Sequence, residues 1–401
     1  MQTALADFIR DTPEGREADA ILRKCVHCGF CNATCPTYQL LGDELDGPRG
    51  RIYLVKQVLE GVAPTQRTRL HLDRCLTCRA CETTCPSGVQ YGRLADIGRE
   101  IVERQVRRGP WEAFRRSLLA WVLPSTGLFS FFLSIGRLFR PLLPEKLKEK
   151  IPQSSVSPGD WPAPRHQRRM LVLAGCVQPA LAPAINAAAA RVLDRAGISL
   201  IEAPAAGCCG AVRFHLNDQA AGRDDMRALI DAWWPMIEGG EIEAIVMTAS
   251  GCGTTVKEFV HHLKEDPAYR DKAARVSEMT RDLSEILEGE FIPGRKFQGR
   301  IAFQSPCSLQ HGQQIHGKVE TLLRKAGYEL EAVADGHLCC GSAGTYSILQ
   351  PELSTQLRDR KLAALAAGGA ATIATANIGC LSHLQAGTSM PVRHWVQLLD
   401  E

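Results

Sequence analysis

Two cysteine runs with the same internal spacing, CVHCGFCNATCP at 25–36 and CLTCRACETTCP at 75–86, constrain this chain more than any other feature. Each reads C-x2-C-x2-C-x3-C-P. The other eight cysteines form two further sets, Cys176, Cys208, Cys209 and Cys252, then Cys307, Cys339, Cys340 and Cys380. Cys176 and Cys307 stand 131 positions apart, as do Cys208 and Cys339, while Cys252 and Cys380 stand 128 apart. That is an internal duplication, and it sets the architecture before any propensity is consulted. Sixteen cysteines in 401 residues are not a disulfide scaffold, an economy of small secreted domains. The opening MQTALADFIRDTPEGREADA lacks the apolar core of a secretory signal, so a cytoplasmic chain with metal-binding or redox thiols is expected.

The first eight thiols carry the sharper chemistry. Short turns bring the first three sulfurs of each run together at one corner of a cubane. The fourth cannot reach the same cluster, and in two-cluster ferredoxins it serves the other one. The spacing therefore predicts one [4Fe–4S] cluster on Cys25, Cys28, Cys31 and Cys85, and a second on Cys75, Cys78, Cys81 and Cys35. Pro36 and Pro86 fix φ after each crossing ligand and remove a competing donor. Zinc sites favour two C-x2-C hooks over four-cysteine runs ending in Cys-Pro. The 37-residue insert between the runs includes DELDGPRGRIYLVKQVLEG, where Ile52, Val55, Leu59 and Val62 keep helical spacing. Its Arg49 and Arg51 read as a solvated basic turn, or as neighbours of a partner or an acidic cofactor.

A linker rich in proline and serine, residues 151–169, separates the halves. Beyond it the local order is strand, cysteine loop, helix, strand, given twice. MLVLA runs into Gly175-Cys176, a helix carries Ile185, Ala188, Val192 and Leu193, and ISLIE precedes Cys208. RIAF, a helix with Val319, Leu322 and Leu323, and YELEAV repeat the pattern before Cys339. EAIVMT and ATIAT then lead to Cys252 and Cys380 as short buried strands. The cysteines fall past the carboxyl ends of parallel strands, where open α/β sheets hold ligands.

Adjacent cysteines followed by glycine, Cys208-Cys209-Gly210 and Cys339-Cys340-Gly341, occur twice in register. These repeats resemble the cysteine-rich CCG domains of heterodisulfide reductase, glycerol-3-phosphate dehydrogenase and glycolate oxidase. The N-terminal part resembles the all-helical ferredoxin type of succinate dehydrogenase. The stretch KCVHCGFCNATCPTYQLLGDELDGPRGRIYLVKQVLEG is similar to iron–sulfur subunits of bacterial glycolate oxidase. The implied fold is α+β and multidomain: an all-α ferredoxin-like domain (1–110), an apolar segment and linker (111–169), and two pseudo-symmetric α/β CCG repeats (170–290 and 291–401).

The family pattern ends in a C-x2-C pair. This chain has Ala249 and Asn377 where the first cysteine of that pair belongs, leaving four thiols per repeat. Four suit an ordinary cubane but not a five-thiolate noncubane cluster, so disulfide reduction is not expected. At least one further [4Fe–4S] cluster is expected in this half, with zinc or no metal open for one repeat. His311, His316 and His337 lie near cysteines but read as hydrogen-bonding or surface residues.

The resemblance implies an electron-transfer subunit of an oxidoreductase acting on the CH–OH group of a 2-hydroxy acid. Two flavoprotein partners holding FAD would oxidise glycolate to glyoxylate, with electrons passing to a quinone-linked acceptor. Alternatives are the equivalent subunit of a lactate or anaerobic glycerol-3-phosphate dehydrogenase, or an iron–sulfur scaffold. The sequence offers no GxGxxG fingerprint after a strand and no catalytic triad, and a net charge of +3 gives no reason to expect nucleic acid. One segment stands apart: Ser117 to Gly136 has no charged residue, is broken at PSTG (124–127), and is flanked by Arg115, Arg116, Arg137 and Arg140. Peripheral contact with the inner face of the cell membrane and internal docking of the two halves are both open for it.

Overall fold

The computed structural model describes residues 1–142, 148, 151, 157–290 and 299–400. Up to residue 142 the chain is helices and loops, and every described strand lies beyond residue 167. Three helices, Pro13–Lys24, Pro48–Leu59 and Tyr91–Gln105, each bury one stripe. Leu22, Val55, Leu59, Leu72, Leu94 and Val102 meet in one core, each contributing roughly 1.5–3 kcal/mol of burial. Thr12 caps the first helix by accepting from Gly15 N–H, with Pro13 in the first helical position. Gly98 sets the spacing of the other two helices: a Cβ there would lie 2.5 Å from Val55 Cγ2.

The second half holds two four-stranded parallel sheets of the same order. The first contains β1 (Arg168–Val172), β2 (Ile198–Glu202), β3 (Ala244–Met247) and β4 (Thr280–Asp282), ordered β2-β1-β3-β4. The second contains β5 (Arg300–Gln304), β6 (Glu329–Glu331), β7 (Thr372–Thr375) and β8 (Val392–His394), ordered β6-β5-β7-β8. Met170 pairs with Leu200 and Ala244, and Ile301 with Leu330 and Thr372, so the duplication holds at the level of register. The three-residue β4 and β8 were not among the expected strands; TRD and VRH are too short and too polar to show a pattern.

Both faces of these sheets are buried, which is why their strands read as continuous apolar runs. Met170, Val172 and Val246 face inward and share a core with Ile301, Phe303 and Ala374 of the other lobe. Leu171, Ile245 and Met247 face the opposite way, onto the helices Gln219–Glu238 and Arg270–Met279. The buried His394 crosses between lobes, its Nε2 lying 2.8 Å from Thr248 O.

The helical domain lies over the loop edges of both lobes. Arg79 forms a two-pronged ion pair with Glu258 (2.5 and 2.7 Å), and Thr83 Oγ1 lies 2.9 Å from His311 Nδ1. The uncharged segment folds as two helices, Pro110–Val122 and Thr126–Leu138, bent by 112° at the break. Among the described residues no single helix is long and apolar enough to cross a membrane. The pair touches both lobes, through Thr126 Oγ1 to Gly175 O (3.3 Å) and Arg115 to Ile348 O (2.9 Å). It nonetheless leaves Trp111 69% and Trp121 57% exposed, with Phe114, Phe131 and Leu138 also in the open.

Candidate metal centres

All sixteen cysteines are free thiols. Cys25, Cys28, Cys31 and Cys85 line one cavity of about 420 Å³ with Ile52 and Val89. Cys35, Cys75, Cys78 and Cys81 line a second of about 350 Å³ with Leu76. Tyr91 and Cys81 border both. Four thiols converging on each space are the donor set of a [4Fe–4S] cluster.

The tight winding of each run is visible in the backbone. His27 and Gly29 have φ of 59° and 86°, and Thr77 and Arg79, at the matching places, have φ of 51° and 60°. Three of these four are not glycine, a strain of the kind that persists when the surroundings hold it. At Arg79 the holding group is Glu258 of the first lobe.

Burial governs the thiols. It pushes Cys31 up to about 11, helped by Cys25, and pushes Cys78 and Cys81 well up as well. Cys75 moves the other way: burial raises it, but the Arg51 and Arg99 guanidiniums outweigh that and hold it below the usual thiol range. Arg51 therefore corrects the expectation of a solvated basic turn, because it is only 1% exposed. It donates to His71 O (2.7 Å) and Thr37 Oγ1 (3.1 Å), lies 4.0 Å from Cys35 Sγ, and pairs with the buried Asp46. Asp46 also binds Arg74 (2.8 Å) and His71 Nδ1 (3.0 Å). Asp43, Asp46 and His71 cluster as metal ligands would, but the two guanidiniums already supply positive charge to Asp46. Sequence reasoning missed this network, whose members are scattered from Thr37 to Arg74.

In the repeats, the cysteines stand past the carboxyl ends of β1–β3 and β5–β7. Cys252 lies on the helix Ser250–Lys257 and Cys380 on Ile378–Gln385. Cys307 leads into a single π turn, Ser308–Gly312, a deviation common at functional sites. Gly210 and Gly341 have φ of 85° and 90°, and a Cβ on either would lie 2.5 or 2.6 Å from the carbonyl of Gly222 or Ser354. The glycine of each CCG is thus required twice over, by conformation and by room. It turns its amide back onto the first cysteine, 3.4 Å from Cys208 Sγ and from Cys339 Sγ. Cys307 and Cys339 sulfurs are 3.8 Å apart, Cys340 and Cys380 sulfurs 3.2 Å. Contact with its CCG partner and burial push Cys176 and Cys307 well up.

The two lobes bring their sites side by side. Ser250 and Ser308 hydroxyls are 2.8 Å apart, and Asn377 Oδ1 accepts from Gly251 N–H at 3.4 Å. The second lobe also borders the helical domain, since Leu76 packs in one cluster with Cys339, Cys78 and Cys307. His311 is a tether in this seam, bonded to Thr83 and to His337 O (2.9 Å), while His316 is exposed.

Residues 21–89 match the family described as 4Fe-4S dicluster domain, and residues 170–257 and 301–385 each match the cysteine-rich CCG domain. The glycolate oxidase iron–sulfur subunit of Escherichia coli is 54% identical, with 100% of this chain and 99% of that protein covered. A probable glycolate oxidase iron–sulfur subunit of Bacillus subtilis is 30% identical over 91% of this chain and 89% of its own length. A lactate utilization protein A of Exiguobacterium is 24% identical over 56% of this chain and 94% of its own length. Among solved structures, a hypothetical protein from Helicobacter pylori superposes with a TM-score of 0.53 at 11% identity, covering 96% of this chain and 71% of that one.

Proposed function

The chain belongs to the family of glycolate oxidase iron–sulfur subunits, and from that membership we propose how it carries electrons and for which substrate. It is an electron-transfer subunit of an oxidoreductase complex. A [4Fe–4S] cluster, once bound, supplies reversible one-electron chemistry. In our reading Cys25, Cys28, Cys31 and Cys85 hold one cluster, and Cys75, Cys78, Cys81 and Cys35 the other, in a ferredoxin-like helical domain. The observation that supports this is the crossing itself: each cavity takes the first three thiols of one run and the fourth of the other, with Cys81 bordering both.

The residues around these thiols have definable work. Arg51 and Arg99 favour the thiolate of Cys75. Ile52, Val89, Leu76 and Tyr91 give the cavities an apolar and aromatic lining. At least one further cluster is assigned to the repeats, whose four-thiol sets match in register.

The named activity of the relatives is glycolate oxidation, and 54% identity over the full chain favours it over lactate, where likeness is 24% over about half. Oxidation of glycolate to glyoxylate falls, in this reading, to two FAD-bearing partner subunits, with electrons leaving toward a quinone-linked acceptor. The exposed Trp111, Phe114, Trp121 and Phe131 support peripheral attachment to the inner face of the membrane. The ligand assignment is tested by anaerobic iron analysis of the full chain. Cys78→Ser should remove one cluster's worth, about four irons per chain, and one electron paramagnetic resonance signal after dithionite. Unchanged iron and spectrum would overturn it.

A further inference from the structure

The duplication allows each site in the repeats to be compared with its own copy, and the surroundings differ in two places. Asn377 stands where the first repeat has Ala249, given the 128-residue register shared by Cys252 and Cys380. Its Nδ2 donates toward Cys380 Sγ at 3.7 Å, while its Oδ1 is fixed by Gly251 N–H. Alanine at 249 has no such donor.

The second difference is a buried cation. Lys361, on the helix Pro351–Ala366, is only 3% exposed. Its ammonium is anchored on the carbonyls of Asp335 (2.8 Å) and Gly336 (3.3 Å), in the loop leading to Cys339. One turn earlier, Leu357 packs in the same cluster as Cys339. Burial lowers the ammonium's pKa, and the Cys340 and Cys339 sulfurs, the Asp335 carboxylate (itself paired with Arg360) and the Cys380 sulfur act against that. On the matching helix of the first repeat, Gln219–Glu238, the counterpart positions Leu229 and Ile230 are buried and apolar. Among the described residues this buried lysine bonds only neutral carbonyls and forms no ion pair, so a negative group is expected beside it.

We propose that Lys361 and Asn377 are positioning residues that raise the reduction potential of a [4Fe–4S] cluster held by Cys307, Cys339, Cys340 and Cys380. This rests on the reading that the second repeat holds a cluster. Reduction adds one negative charge, and net charge and hydrogen bonds to sulfur are two determinants of cluster potential. A buried ammonium and an amide N–H aimed at a ligand sulfur both favour the reduced form. The site so tuned is also the one bordering Cys78 and Leu76 of the helical domain.

The test is a redox titration of the full chain, purified anaerobically and followed by electron paramagnetic resonance. Cys340→Ser first identifies the signal of the second repeat; if that variant keeps all its iron and every signal, the cluster itself is absent and the underlying reading falls. With the signal identified, Lys361→Met should lower its midpoint enough to change the reduced-to-oxidised ratio at fixed poise at least tenfold, which is 59 mV for one electron. Asn377→Ala should shift it the same way by less, and Lys361→Arg should restore it toward the original value. Midpoints unchanged in Asn377→Ala and Lys361→Met, with iron content intact, would overturn the tuning. Should Lys361→Met fail to fold, the direction of the Asn377→Ala shift decides.

Discussion

At the residue scale, the second cysteine site depends on charges the fold has buried and paired. Asp46 is fully buried and answers Arg51, Arg74 and His71 together. Removing one partner of a buried pair leaves an uncompensated charge, a loss of about 3–5 kcal/mol. Asp46→Ala is therefore expected to lower the unfolding midpoint sharply and to weaken retention of the cluster beside Cys35 and Cys75. Chemical denaturation and iron content check both, and a variant as stable as the parent would remove Asp46 from the account. The sixteen thiols were legible because cysteine spacing is a local signal. Arg51 and Lys361 were not, because nothing in DGPRGR or RDRKLAAL tells a solvated cation from one folded against a carbonyl 20 or 26 positions away, His71 O and Asp335 O. Asn377 was legible as a departure from a pattern, but its donated bond appears only in three dimensions.

At the element scale, strands and helices were read where they carried apolar periodicity. ISLIE coincides with β2, and the helix through Ile185 and Val192 with Ala184–Arg195, since packing on both sides demands unbroken apolar residues there. The fourth strand of each sheet escaped because a three-residue edge strand has no room for a period. The uncharged segment was read as broken at PSTG, and the structure breaks it there by 112°. Internal docking is observed, since one side of the pair bonds the lobes, while Trp111 and Trp121 stay exposed on it. Replacing Trp111 and Trp121 by Glu should abolish sedimentation of the chain with anionic vesicles, without moving its thermal midpoint by more than a degree or two. Undiminished sedimentation would assign this face to another protein.

At the scale of the whole molecule, the shared core of the two lobes makes the second half one unit, and His394 is its pH-sensitive seam. Burial lowers its pKa from 6.5 to about 4. Nδ1 accepts from Val396 N–H, so the proton sits on the Nε2 that faces Thr248 O, and a second proton would meet a donor. With the folded value below the unfolded one, the unfolded chain binds more protons between about pH 4 and 6.5. Stability is then full above pH 6.5 and is lost as pH falls through that window, by at most about 3 kcal/mol. His394→Gln should be less stable than the parent at pH 7.5 and show a shallower acid loss in paired thermal scans; identical slopes would contradict this.

The duplication was legible because it is a property of the chain, while residues 152–156 of the expected linker lie outside the described residues; the closure of the helical domain over both lobes depends on contacts such as Arg79–Glu258, 179 positions apart. That closure sets Cys78 of the helical domain beside Cys307 and Cys339 of the second lobe. The most direct measurement is anaerobic electron paramagnetic resonance on this chain in complex with its flavoprotein partners, before and after substrate. Cubane signals raised by glycolate and not by glycerol 3-phosphate are the predicted result. Signals that only dithionite raises would contradict the assignment to glycolate and leave the clusters outside the path from that substrate.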